Sequence, residues 1–153
     1  MKKEALALTN AFFRYLETER RYSQNTIKSY QRDLKHFSRH LQVKKLSRWA
    51  EVKPHHIKTY ASQIFIEGLG AKSIQRRLSA IRSFMNYLLR EGMIKNNPAE
   101  GVKTPKAPKK LPGILDIEQI NQLLNIQERD PVSLRDKAIM ELIYSSRLRL
   151  SEI

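Results

Sequence analysis

The chain has 153 residues, enough for one ordinary domain or a small domain with part of another, and it contains no cysteine. That absence excludes disulfides, thiolate zinc sites and thiol catalysis, and no apolar stretch approaches the ~20 residues of a membrane span. Twenty-nine Lys and Arg against fifteen Asp and Glu give a net charge of +14, which disfavours self-association and suits a polyanion, nucleic acid first.

The charge is uneven. Residues 1–113 hold twenty-four basic and eight acidic side chains, a balance of +16, whereas residues 114–153 hold five and seven, a balance of −2. Glu17 and Glu19 arrive before any long apolar run, so no secretory signal is expected and the chain reads as cytoplasmic, with no membrane partner.

Periodicity predicts helix almost throughout. Over residues ~3–20, Leu6, Thr9, Phe13 and Leu16 share a face, with Phe12 beside it. A second helix starts at Ser23, whose hydroxyl can accept from an orphan N–H, and runs to about Leu41. Its apolar stripe is Ile27, Tyr30, Leu34, Phe37 and Leu41; Asn25, Lys28, Arg32, His36 and Arg39 fall opposite. Trp49 and Val52 anchor the next connection to the core. Pro54 fits the first turn of a third helix carrying Ile57, Tyr60, Ala61 and Ile64, which ends near Gly68 or Gly70. The fourth helix spans ~71–91 and is stopped by Gly92. It carries Ile74, Leu78, Ile81, Met85 and Leu88 on one face and Lys72, Arg76, Ser79, Ser83 and Arg90 on the other.

Four amphipathic helices with short connections and no strand pattern predict an all-α bundle over residues 1–94. Pro98, Pro105, Pro108 and Pro112, interspersed with Lys103, Lys106, Lys109 and Lys110, then mark an extended basic linker over residues 95–113. A second unit occupies residues 114–153. Asp116 and Gln119 have capping-box spacing before Ile120, Leu123 and Leu124. Another helix begins near Pro131 and includes Leu134, Ala138, Ile139, Leu142 and Ile143. Two such helices cannot bury much alone, which reads as the start of a truncated domain.

Other chemistry is poorly supported. His55 and His56 are adjacent on a helix and point apart. His36 and His40 have i,i+4 spacing, but without acidic or thiolate partners an exposed histidine pair is the commoner explanation. There is no Gly-rich phosphate loop and no serine or cysteine triad, so neither a cofactor nor a small-molecule substrate is expected.

Several segments, taken in order, resemble tyrosine recombinases of the phage-integrase family, the Xer-like subgroup above all. Residues Ser23 to Leu34 and Lys72 to Phe84 are similar to that family's SAM-like core-binding domain. Asn96-Asn97-Pro98-Ala99 resembles its exit, and Leu111-Pro112 resembles the entry to the catalytic domain. Leu134-Arg135-Asp136-Lys137-Ala138 leads into Tyr144 to Ile153, which resembles the stretch bearing the first catalytic arginine. The resemblance implies a four-helix core-binding bundle, a linker, and the first helices of a truncated catalytic domain.

In that family the first domain arches over duplex DNA and the catalytic domain clasps the other side. A tyrosine attacks the scissile phosphate, and a partner strand's 5′-hydroxyl later attacks the phosphotyrosyl link. Arginines, not a metal, carry the charge on the phosphorane oxygens. By this likeness Arg149 matches the first arginine, as a remnant, and Glu152 the carboxylate after it. Arg147 stands where the family usually has glycine. The lysine, the histidine motifs and the nucleophilic tyrosine have no match here, so this chain is expected to bind DNA without cleaving it.

The expected DNA contacts are Asn25, Thr26, Lys28 and Arg32 on the second helix and Lys72, Gln75, Arg76, Ser79 and Arg82 on the fourth. Lys106, Lys109 and Lys110 are expected to meet phosphates. Arg77 lies nearer the apolar side and could pack its stem there. The partners implied are duplex DNA with inverted-repeat half-sites and a full-length recombinase. The alternative is a non-enzymatic helical regulator that binds DNA or RNA.

Overall fold

A computed structural model describes residues 3–105, 113–127, 130–147, 149 and 152, with backbone alone for residues 3 and 4. The elements are α1 (Lys3–Thr18), α2 (Gln24–Val43), a short 3₁₀ turn (Trp49–Glu51), α3 (Pro54–Ile66), α4 (Ala71–Arg90), α5 (Ile117–Leu124) and α6 (Pro131–Ser146). No strand occurs among the described residues, and none of their helices is long and apolar enough to cross a membrane. The chain divides into two compact units, residues 1–108 and 109–153.

Local chemistry sets the helix ends in the first unit. The Ser23 Oγ accepts from the Thr26 N–H at 3.3 Å and caps α2. Pro54 opens α3. Gly68 and Gly92 end α3 and α4 at φ +84° and +70°, a conformation open to glycine at little cost. Each is followed by an N–H that reaches back to the last turn, Leu69 to the Ile64 carbonyl and Met93 to the Leu88 carbonyl.

The core follows the apolar stripes of α2, α3 and α4. Phe37, Leu41, Ile57, Tyr60, Ile64, Leu78, Ile81, Phe84, Met85 and Leu88 are buried, each large apolar side chain stabilising by roughly 1.5–3 kcal/mol before entropy. Trp49 lies edge-on to Phe84, with ring centroids 4.8 Å apart.

Helix α1 departs from expectation. Ala5, Phe12 and Leu16 are its buried residues, while Leu6 is 63% exposed. Tertiary packing selects this face. The Trp49 indole N–H donates to the Ala5 carbonyl at 3.0 Å, and Phe12 meets Phe84 at 5.2 Å.

Residues 95–105 are also more packed than their composition suggests. Ala99 and Val102 are buried in the core cluster. Asn97 Nδ2 donates to the Arg82 carbonyl and to Asn86 Oδ1, and its own Oδ1 accepts from the Ala99 N–H. Arg82 donates to the Ala99 and Val102 carbonyls at 3.4 and 3.3 Å. Gln75 Nε2 donates to the Pro105 carbonyl at 2.8 Å. Small apolar residues and side-chain-to-carbonyl bonds thus do the packing that large apolar residues do elsewhere.

In the second unit α5 and α6 touch one another. The capping box on α5 forms, Asp116 accepting from the Gln119 N–H at 2.8 Å and Gln119 from the Asp116 N–H at 3.0 Å. Asp130 caps α6, and Pro131 opens it. Neither helix has a buried residue.

Candidate nucleic-acid interface

Helix α2 packs more extensively on α4 than on any other helix. Asp33 joins the two. It projects from the flank of the α2 apolar stripe and is only 2% exposed. Its Oδ2 accepts from Arg76 Nη1 at 2.7 Å, and its Oδ1 lies 3.7 Å from Arg77 Nε. Burial pushes the Asp33 carboxyl up, while Arg76, Arg77 and Arg32 pull it down.

Arg77, on the inner side, donates to the Tyr60 hydroxyl at 3.2 Å, so α3 is tied to the same network. His36 Nδ1 lies 3.0 Å from that hydroxyl. Burial raises the Tyr60 pKa against the pull of Arg77. His36 and His40 are therefore not an exposed pair. His40 is buried, its ring 5.2 Å from Tyr60, because this edge of α2 faces α3. Burial is the leading cause that lowers both imidazoles; Arg77 is the next for His36, and the Gln63 side chain opposes the shift at His40.

The polar arc of α4 has two borders. Gln75, Arg82 and Asn86 share one, at helical spacing, and hold residues 97–105. Arg76 forms the other and meets α2, its Nη1 also 3.4 Å from the Ser29 carbonyl. Between these borders lie exposed Lys72 and half-buried Ser79 and Ser83. On α2, Asn25, Lys28 and Arg32 are exposed. Arg32 leans along its own helix, with Nε 3.3 Å from the Lys28 carbonyl and Nη2 3.5 Å from Ser29 Oγ. Thr26 is half-buried, its hydroxyl 3.0 Å from Ser23 Oγ.

Arg32 and Arg76 thus converge on Ser29 at the α2–α4 seam, and Lys28 stands one turn before Arg32 on α2. Lys72 stands one turn before Arg76 on α4. Gln75 and Arg82 are engaged with the segment that leaves the bundle. Lys106, Lys109 and Lys110 lie outside the described residues. Asp33 is absent from the contacts expected from sequence, yet the signal was there: an acid beside an apolar stripe in a strongly basic helix.

In the second unit, Arg149 is exposed, its side chain at 85%. Glu152 Oε2 accepts from its backbone N–H at 2.8 Å, and Oε1 lies 3.9 Å from its guanidinium. Arg147 follows α6 in the left-handed conformation, φ 54° and ψ 27°. A non-glycine residue there costs about 1 kcal/mol, so the position that invites glycine in the resemblance does have glycine-like backbone here.

The sequence that folds into this bundle matches a known family. The family model described as the phage integrase N-terminal SAM-like domain matches residues 9–92. The chain belongs to that family, the tyrosine recombinases. Among curated proteins it is similar to the tyrosine recombinase XerC of Actinobacillus pleuropneumoniae serotype 7 (strain AP76), 46% identical over 145 residues, covering 95% of this chain and 47% of the relative. It is also similar to the tyrosine recombinase XerC of Salmonella typhi, 40% identical over 154 residues, covering all of this chain and 51% of the relative. The chain spans about half the length of the curated relatives it matches. Among solved structures it shares its fold with the Tn1549 transposon integrase in complex with a circular intermediate DNA. There the TM-score is 0.60 and the identity 16%, over 95% of this chain and 46% of that one.

Proposed function

We propose that the α2–α4 face is a duplex-DNA-binding surface, and that the chain is the DNA-gripping portion of a site-specific tyrosine recombinase. The observation that carries this reading is the charge arrangement. Lys28, Arg32, Lys72 and Arg76 reach solvent on adjoining helix faces, while the acid among them, Asp33, lies buried beneath. A surface built this way presents cations to phosphates and keeps the compensating charge out of reach. The DNA complex of the fold neighbour and the XerC relatives support the same direction.

In this reading the duplex carries inverted-repeat half-sites, and a full-length recombinase is the protein partner. The parent activity is strand cleavage and exchange, in dimer resolution or integration, within the cytoplasm. Residues 1–94 with their packed exit grip the duplex, the lysines at 106, 109 and 110 follow its backbone, and residues 114–153 contribute the start of a catalytic domain. In this reading these 153 residues hold DNA without cutting it, because Arg149 and Glu152 are the only residues here that the resemblance matches to the family's active site.

Titrating the chain with an inverted-repeat duplex tests this. Affinity should fall about 10³-fold between roughly 50 and 200 mM salt if several phosphates are engaged, and a nicked substrate that traps phosphotyrosine should yield no covalent adduct. A flat salt response would remove the electrostatic basis, and an adduct would reveal an unsuspected nucleophile.

A further inference from the structure

Arg76 and Arg77 share one carboxylate but differ in exposure. Arg77 is 18% exposed and spans Asp33 and Tyr60. It already supplies the buried carboxylate with a cation. Arg76 is 43% exposed, yet makes the shorter contact, 2.7 Å. A guanidinium is a flat fork with donors on two edges. Nη1 faces inward, to Asp33 Oδ2 and the Ser29 carbonyl. Nε and Nη2 have no hydrogen bond among the described residues, and with Nη1 engaged the Nε–Nη2 edge of this half-exposed guanidinium is left for another partner. The neighbouring cations are not fixed in this way: Arg32 reaches only acceptors on its own helix, at 3.3 and 3.5 Å.

We infer that Asp33 is a positioning residue for duplex contact: it holds one edge of the Arg76 guanidinium so that the other edge meets a backbone phosphate. The inference rests on the α2–α4 face being the DNA surface. An arginine already anchored loses less rotamer freedom on binding, and its fork matches two phosphate oxygens. The buried carboxylate therefore acts at a distance, through the guanidinium, and never touches DNA.

Charge alone predicts the opposite sign. Asp33→Asn removes a negative charge beneath a cationic surface, so simple electrostatics makes the variant bind duplex more tightly. Positioning makes it bind more weakly. The test uses the whole 153-residue chain and a mixed-sequence DNA duplex at about 50 mM salt, with thermal melting to verify folding. Asp33→Asn should weaken binding about tenfold. Its log–log salt slope should become shallower by about one, as in Arg76→Ala. In an Arg76→Ala background, Asp33→Asn should weaken binding no further.

Equal or tighter binding by folded Asp33→Asn overturns the inference, as does an equal loss in the Arg76→Ala background. Should Asp33→Asn fail to fold, Arg76→Lys decides. It keeps the charge but lacks the fork, and is expected to bind several-fold more weakly; wild-type affinity would overturn the inference. If the wild-type chain ignores duplex altogether, the functional reading falls and takes the inference with it, an outcome distinct from a wild-type chain that binds and an Asp33→Asn variant that binds equally well.

Discussion

Helices α4 and α6 are twenty and sixteen residues long, and the better-started of the two is the one without a core. Helix α6 has Asp130 accepting from two backbone N–H groups and Pro131 in its first turn. Helix α4 begins at Gly70 with no side-chain cap. Yet eight residues of α4 are buried and none of α6 is. Capping decides where a helix begins; burial of a face decides how much stability it contributes. In α4, Ile74, Leu78, Ile81, Met85 and Leu88 recur on one side and meet the other three helices of the bundle. In α6, Val132, Leu134, Leu142 and Tyr144 remain exposed among the described residues.

Substitutions of matched kind would break this comparison most sharply. Phe84→Ala removes a ring packed against Phe12 and Trp49 and should cost about 3–5 kcal/mol in a denaturant melt. Leu142→Ala should change the same melt by about 0.5 kcal/mol or less. Comparable losses would mean that α6 shares the cooperative core.

A smaller effect separates caps that support a core from caps that do not. Ser23→Ala should lower global stability by about 1 kcal/mol, because the α2 it starts is part of the cooperative unit. Asp116→Ala removes an equally well-formed cap, but should reduce helical signal without moving the main thermal transition. A shift of that transition by Asp116→Ala would contradict the division into two units.

The smallest effect is acid sensitivity. Burial lowers the His36, His40 and His56 pKa values below 6.5. Arg77 and Arg39 add to this at His36, Lys44 at His40, and His55 and Lys53 at His56. Glu67 opposes it at the first two. The folded state therefore favours neutral imidazole, and the unfolded chain binds more protons. The stability these groups contribute is fully present above about 6.5 and is lost as pH falls from there through the folded values. Thermal melting of the first unit should drop over that window, and His40→Gln should flatten the drop. An unchanged slope would place the acid sensitivity elsewhere.

Much of the bundle was legible in sequence because it is written locally. Ser23, Pro54, Gly68 and Gly92 mark ends through groups within a turn of themselves, and the α2 and α4 stripes repeat at helical spacing. The α1 stripe was harder. Thr9, Phe12, Phe13 and Leu16 occupy a broad arc, and only the approach of Trp49 to the Ala5 carbonyl settles which part faces inward. The exit segment misled by composition, because Ala99 and Val102 are small and Arg82 reads as a surface cation until its carbonyl partners are seen.

The candidate interface divides in the same way. Asn25, Lys28, Arg32 and Lys72 are polar by spacing and exposed in the fold. Arg76, Gln75 and Arg82 share their chemistry but have partners 43, 30 and up to 20 residues away. Sequence by itself determined the excess of positive charge, the helices, most of their ends and the faces that repeat along α2 and α4, since each depends on residues a few positions apart. Tertiary structure decided which cations are clamps and which remain free. Pairing across the seam requires a carboxylate on one helix to meet a guanidinium on another, and no local periodicity encodes that meeting.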